Sequence, residues 1–212
     1  MLFRSNYETG EITVQWSDER GAWKRRSFVS RDADVAVFEL QASSAGKLNC
    51  AISLQMPAEM NFPKGLKTKC LHTKDYLNIR VNYAAPMDTI GYEGGIRVKQ
   101  KGGSSFLRND TLYIKDASEI LLLSRTQKYP ENCGAEWNKG LLKKGLDAIR
   151  ANYNGLLKAH KALHTSIYNR VRIDLGATPQ ERSLSNEELL EKQKNTDQPV
   201  LALWERIFDA GR

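Results

Sequence analysis

The segment 153–176, YNGLLKAHKALHTSIYNRVRIDLG, constrains this chain more than any other, because the spacing of its apolar residues changes period partway along. Tyr153, Leu156, Leu157, His160, Leu163, His164, Ile167, Tyr168 and Val171 recur every three or four residues, which predicts a helix with one apolar stripe that needs a large partner. After Asn169 the period drops to two. Val171, Ile173 and Leu175 alternate with Arg170, Arg172 and Asp174, as in a half-buried strand, and Gly176 ends the run. A helix passing directly into a strand, with β-patterned chain before it and helical chain after it, reads as a connector between two bodies. This sequence contains one of them.

That body lies upstream. From Glu11 to about Gln127 the pattern is strand, turn, strand. Ile12, Val14 and Trp16 alternate with Thr13 and Gln15, the turn chemistry of 17–21 follows, and a second run reaches Val29, giving a hairpin. Residues 35–40 are apolar on both faces, which two packed sheets would explain. A strand at 48–56 follows a turn at 43–46, and 57–65 is a loop by composition. Further strands are predicted at 77–83, 96–101, 112–114 and 119–124. Many short strands separated by turns argue for a β-sandwich rather than a parallel α/β sheet.

At Tyr129-Pro130 the character changes. Leu141, Leu142, Leu146 and Ile149 stand at helical spacing in 135–151, although Gly140 and Gly145 each weaken a helix by about 1 kcal/mol relative to Ala. Beyond the connector, Ser185 precedes Glu188 by the spacing of a capping box and opens a short helix to about Lys194, which 195–199 breaks. Val200, Leu201, Leu203, Trp204, Ile207 and Phe208 then begin an amphipathic helix, with Glu205 and Arg206 as an exposed-face pair. Each large apolar residue of that stripe is worth about 1.5–3 kcal/mol if buried, so the helix is expected to sit against something beyond the chain. The expected organisation is a sandwich domain over 1–128, incomplete at its N-terminus, and a helical linker over 129–198 with one strand returning to the sandwich. Residues 199–212 would start the first helix of a further body.

Composition excludes more than it specifies. Hydrophobic residues make up 41% of the 212, enough for a real core. The longest apolar run is about four residues, too short to span a bilayer, and no secretory leader opens the chain. Cys50, Cys70 and Cys133 match no metal spacing and read as three buried thiols or one bridge plus a free thiol. The net charge of +7 comes from separate knots, Lys24–Arg26, Lys64/Lys67/Lys69 and Lys139/Lys143/Lys144, interleaved with acidic or apolar residues. These are solvated faces rather than a nucleic-acid platform.

No local constellation supplies an active site. His160 and His164 stand four apart, the spacing by which a helix offers two imidazoles to a metal, but Lys161 takes the place of the zinc-protease glutamate and both lie on the apolar stripe as satisfied interface residues. The glycines at 91–95 and the run 101–105 lack the phosphate-loop lysine and read as β-turns. Asp88, Glu93, Asp110, Asp116 and Glu119 are available as paired carboxylates, as in any β protein. Trp16, Trp23, Tyr76 and Tyr92 are either sandwich core or faces on which sugar rings stack.

The connector HKALHTSIYNRVRIDLG and the following LSNEELLEKQKNTDQPVLALWERIFDAGR resemble the linker region of glycoside hydrolase family 95, the α-L-fucosidases, at His160, Tyr168, Arg170, Val171, Leu175 and Gly176. Upstream, YETGEITVQWSDERGAWKRRSFVSRDADVAVFELQ and GYEGGIRVKQKGG resemble its sandwich segment. The resemblance implies a periplasmic or secreted bacterial enzyme with an N-terminal sandwich, a helical linker and a catalytic (α/α)6 barrel. Such an enzyme removes terminal α-L-fucose, or L-galactose, by inverting hydrolysis. The catalytic residues would lie in the barrel, so it places no catalytic, cofactor or metal residue here, and the chain alone is expected to be inactive. The alternative is an independent carbohydrate-binding or protein-interaction module.

Overall fold

The structure is a computed structural model and describes residues 1–43, 48–56 and 62–211. Among the described residues eleven strands come first: β1 Leu2–Asn6, β2 Glu11–Asp18, β3 Gly21–Ser30, β4 Val35–Ala42, β5 Leu48–Ser53, β6 Lys67–Cys70, β7 Tyr76–Asn82, β8 Gly91–Lys101, β9 Ser104–Arg108, β10 Thr111–Ala117 and β11 Glu119–Tyr129. Six helices follow among the described residues: α1 Cys133–Asn138, α2 Leu141–Ala148, α3 Tyr153–Tyr168, α4 Pro179–Ser183, α5 Asn186–Lys194 and α6 Leu201–Gly211. The strands form an eight-stranded sheet in the order β1-β2-β3-β4-β11-β8-β7-β6 and a three-stranded sheet in the order β5-β10-β9. Every paired neighbour is antiparallel. The protein is therefore mainly β with C-terminal helices, an antiparallel sandwich.

β11 shows how the layers form. It lies between β4 and β8, and its apolar run points to both faces. Ile120 joins Leu77, Val98, Leu112 and Ile114 in a core between the two sheets. Leu121 and Leu123 face the other way, joining Phe28, Val35 and Val37 against Leu142 and Leu146 of α2 and Tyr153 and Leu157 of α3. Alternation in an extended chain produces this division, and each fully buried residue is worth about 1.5–3 kcal/mol. The double-sided burial of β4 thus has two causes: the small sheet covers one face, and helices cover the other.

Several expectations are corrected. The predicted helix 135–151 is two helices, because Gly140 adopts φ +61° and turns the chain between α1 and α2. Residues 91–95 are not a turn but the start of β8. Their glycines are set by close packing, since a Cβ on Gly95 would lie 2.6 Å from the hydroxyl of Tyr76. β1 extends the sheet ahead of Glu11, pairing Leu2 with Gln15 through Asn6 with Glu11. Residues 170–175 form no strand and return to no sheet: Val171, Ile173 and Leu175 are all exposed, and the N–H of Leu175 is bonded to Glu205. Residues 44–47 and 57–61 lie outside the described chain, and with them most of the expected turn at 43–46 and part of the loop at 57–65.

α3 and α5 match their expected places. The side chain of Ser185 accepts from the N–H of Glu188 while the Glu188 carboxylate accepts from the N–H of Ser185, closing the capping box. Among the described residues no helix is long and apolar enough to cross a membrane.

Candidate functional site

α3 is fastened to the sandwich along a polar seam. His160 Nδ1 accepts the N–H of Arg31 at 3.3 Å, which leaves Nε2 to donate to the carbonyl of Thr9 at 3.0 Å. His164 repeats the pattern one turn on, accepting from Arg31 Nε at 3.2 Å and donating to the carbonyl of Tyr7 at 2.9 Å. Phe28, His160, His164 and Tyr168 stack in a column with centroids 5.0–6.0 Å apart. Nearer the helix start, the Tyr153 hydroxyl donates to Glu11, and Arg26 lies over the Tyr153 ring while bonding the buried Glu39. Both ring nitrogens of both histidines are occupied, so neither offers a lone pair to a metal. Both are satisfied interface residues, as expected.

Burial pushes the pKa of His160 down, with the neighbouring His164 and the cationic Arg31 adding to the effect. A base whose pKa is lower when folded takes up fewer protons folded than unfolded. Its contribution is then complete above the ordinary value of about 6.5 and is lost as pH falls below it. Melting temperature should decline through this range, and the decline should be shallower in His160→Gln. Parallel profiles for the two proteins would contradict the seam.

α4, α5 and α6 form a separate small body. Its core is Ala177, Leu189, Val200, Ala202 and Leu203, with Leu184 and Leu201 against it. Glu205 is its polar centre and is buried, not on an exposed face. It accepts from Arg182 at 2.8 and 2.9 Å and from the N–H groups of Leu175 at 2.8 Å and Ala177 at 3.5 Å. Arg182 beside it holds its carboxyl pKa down to about 2. The same arginine reaches Asp174, while Arg206 donates to the carbonyls of Arg182 and Leu184. The helices are thus pinned to the end of the connector.

The apolar stripes are half covered. Leu203 of α6 and Val200 just before it are buried, but Trp204 and Ile207 are each 53% exposed and Leu190 of α5 is 52% exposed. Leu163 and Ile167 continue the pattern on α3. Scattered exposed leucines need no explanation, but large side chains repeating at three- and four-residue spacing on two helices mark a contact surface.

The other candidates do not converge. Glu93 is buried and accepts from Arg80 at 3.0 Å, Asn78 at 2.8 Å and Tyr129 at 2.8 Å, so it is a neutralised structural anchor. Asp110 precedes β10 and Asp116 lies near its far end, about 20 Å away at strand rise. Among the described residues no three His, Cys, Asp or Glu side chains group as a metal site. Cys133 is buried, whereas Cys50 and Cys70 are only partly so, and all three are free. Arg26, Lys139 and Lys143 of the basic knots are ion-paired to Glu39, Glu136 and Asp147. Tyr76 is core and Tyr92 bonds Met56. Trp16 and Trp23 differ, lining an open groove of about 570 Å³. Arg31, Arg182 and the role of Glu205 were not anticipated, since no spacing rule links residues joined only by folding.

A family model described as "Glycosyl hydrolase family 65, N-terminal domain" matches residues 5–130. Among solved structures, a chain described as "Putative kojibiose phosphorylase from human microbiome" superposes with a TM-score of 0.51 at 10% identity, covering 77% of this chain and 24% of that one. This chain thus spans about a quarter of that neighbour's length. No curated protein matches it. The match is to family 65, whereas the linker resemblance pointed to family 95. An N-terminal β-sandwich of a glycoside hydrolase is common to both.

Proposed function

Because the chain belongs to the family of glycosyl hydrolase family 65 N-terminal domains, we propose that it is the non-catalytic N-terminal part of an enzyme that cleaves glycosidic bonds, and that its task is to dock a catalytic body. The observation that carries this is the half-covered pair of α5 and α6. Five buried residues are too small a core for a body that leaves Trp204, Ile207 and Leu190 in water. The rigid seam along α3 would transmit that docked position to the sandwich. The proposed organisation is a sandwich to residue 128, a connector to 198, and in 199–212 the first helix of the catalytic body, an (α/α)6 barrel.

Cleavage itself would be performed by groups of that body. In an inverting enzyme an acid protonates the leaving oxygen while a base activates the nucleophile on the opposite ring face, with the two carboxyl groups about 6.5–9.5 Å apart. Among the described residues, the groove at Trp16 is lined by no carboxylate and the one at Leu156 by Asp32 alone. The name of the structural neighbour suggests kojibiose, cleaved with phosphate, as one substrate to test. The linker resemblance favours terminal α-L-fucose and water.

The 212-residue chain should release no sugar from kojibiose, with or without phosphate, and no fucose from a fucosylated oligosaccharide. The polypeptide encoded with its downstream reading frame should turn over one of them. Turnover by the short chain would overturn the non-catalytic assignment.

A further inference from the structure

The connector carries an alternation that neither the sandwich nor the helices use. Val171, Ile173 and Leu175 alternate with Arg170, Arg172 and Asp174, a pattern suited to an extended chain with unlike surroundings on its two sides. Here both sides meet water: residues 170–176 are all exposed, and 171–178 form neither helix nor strand. Val171 is 57%, Ile173 42% and Leu175 46% exposed. Among the described residues, Arg172 and Ile173 have no hydrogen-bond partner, and neither Arg170 nor Arg172 is ion-paired. The segment is nonetheless held at both ends. At one, Asn169 donates to the Glu8 carboxylate from its side chain and to the carbonyl of Thr165 from its N–H. At the other, Glu205 holds the N–H of Leu175 at 2.8 Å and Arg182 holds Asp174 at 2.6 Å. A short segment fixed at both ends has less freedom left to lose on binding.

We propose that residues 170–174 are a docking strand, which adds to a sheet edge in the polypeptide that follows residue 212. Backbone hydrogen bonds supply the affinity, Val171 and Ile173 extend the apolar face of that sheet, and Arg170 and Arg172 meet carboxylates on its other face. The place where the chain continues selects this occupant. Glu205 lies in α6 six residues before Gly211, about 9 Å at helical rise, so whatever follows α6 leaves close to the pinned end of the connector. A sheet tethered there meets the strand at high effective concentration, whereas a second copy has to reach it by diffusion. A barrel made of helices has no strand edge to offer, so the sheet is a further part of that polypeptide. The inference rests on the proposed function only in that more of the enzyme follows α6.

Amide exchange of 172–174 should be compared between the 212-residue chain and the polypeptide encoded with its downstream reading frame. These amides should exchange freely in the short chain and at least about tenfold more slowly in the longer protein. Alternate N–H groups of an added strand face the sheet, so one of Arg172→Pro and Ile173→Pro should remove that protection and the other should retain it. Neither should move the melting temperature of the short chain, where neither N–H is bonded. Exchange of 200–211 in the same samples separates the possible failures. Slower exchange of 200–211 with 172–174 unchanged would overturn the docking strand and leave the docked helices standing, whereas no change in either would overturn both. Equal effects of the two prolines would mean burial without pairing and overturn the strand. Protection that appears in the short chain and grows with its concentration would assign the segment to a second copy and overturn it equally.

Discussion

Glu205→Ala should unpin the three C-terminal helices while leaving the sandwich folded. The carboxylate satisfies the N–H of Leu175, reaches that of Ala177 and holds Arg182 in place. Leaving such donors unpaired costs about 2–3 kcal/mol, whereas the Coulomb attraction to the half-exposed Arg182 adds little because water screens it. A core of five buried residues cannot absorb that loss, so peptides from 177–211 should exchange amide hydrogens much faster while those of β11 and α3 do not change. The wild-type chain should behave similarly at acidic pH. Since the carboxyl pKa is about 2 when folded and its ordinary value is 4.5, the contribution is complete above 4.5 and is lost as pH falls toward 2. Uniform protection across 177–211 in the variant would contradict this account.

The second large effect concerns the uncovered face. Trp204 and Ile207 are half exposed in the isolated chain, so Trp204→Asp combined with Ile207→Asp should move its melting temperature by only a degree or two. In the longer enzyme the same pair should sit in the interdomain contact. Burial of two such side chains is worth about 4 kcal/mol together, which is about a thousandfold in the docking equilibrium. The double variant should therefore lose most glycosidic turnover and expose the junction to proteolysis. Full activity in the double variant would mean that the face docks nothing.

How far these features can be read from sequence differs by element. α3 and α5 are legible because apolar period and capping chemistry are local properties of the chain. Alternation likewise places most strands of the sandwich. Period shows which face of an element is buried but not what buries it, which is why β4 suggested two sheets when helices cover one side. The alternation in 170–175 failed for the same reason: the segment pairs with no strand, and the N–H of Leu175 is held by Glu205 instead. Glu205 itself looked like a solvated partner of Arg206, because its real partner, Arg182, is brought to it only by folding. The glycines of β8 resembled turn residues because close packing, of Gly95 against Tyr76 and of Gly91 against the Val81 carbonyl, leaves no mark in a single sequence. The motifs that suggested family 95 describe a hairpin, a linker helix and a capped turn. Those elements specify the architecture more strongly than the family, so the sandwich reading survives where the fucose-specific one does not follow.

Amide exchange of 200–211, compared between the 212-residue chain and the polypeptide encoded with its downstream reading frame, tests the central claim most directly. If α6 is built to lie against a catalytic body, its amides should exchange at least about tenfold more slowly in the longer protein, with the gain extending to the segment carrying Leu190. Identical exchange in the two proteins would show that the chain already covers its own helices, and the docking role would be wrong.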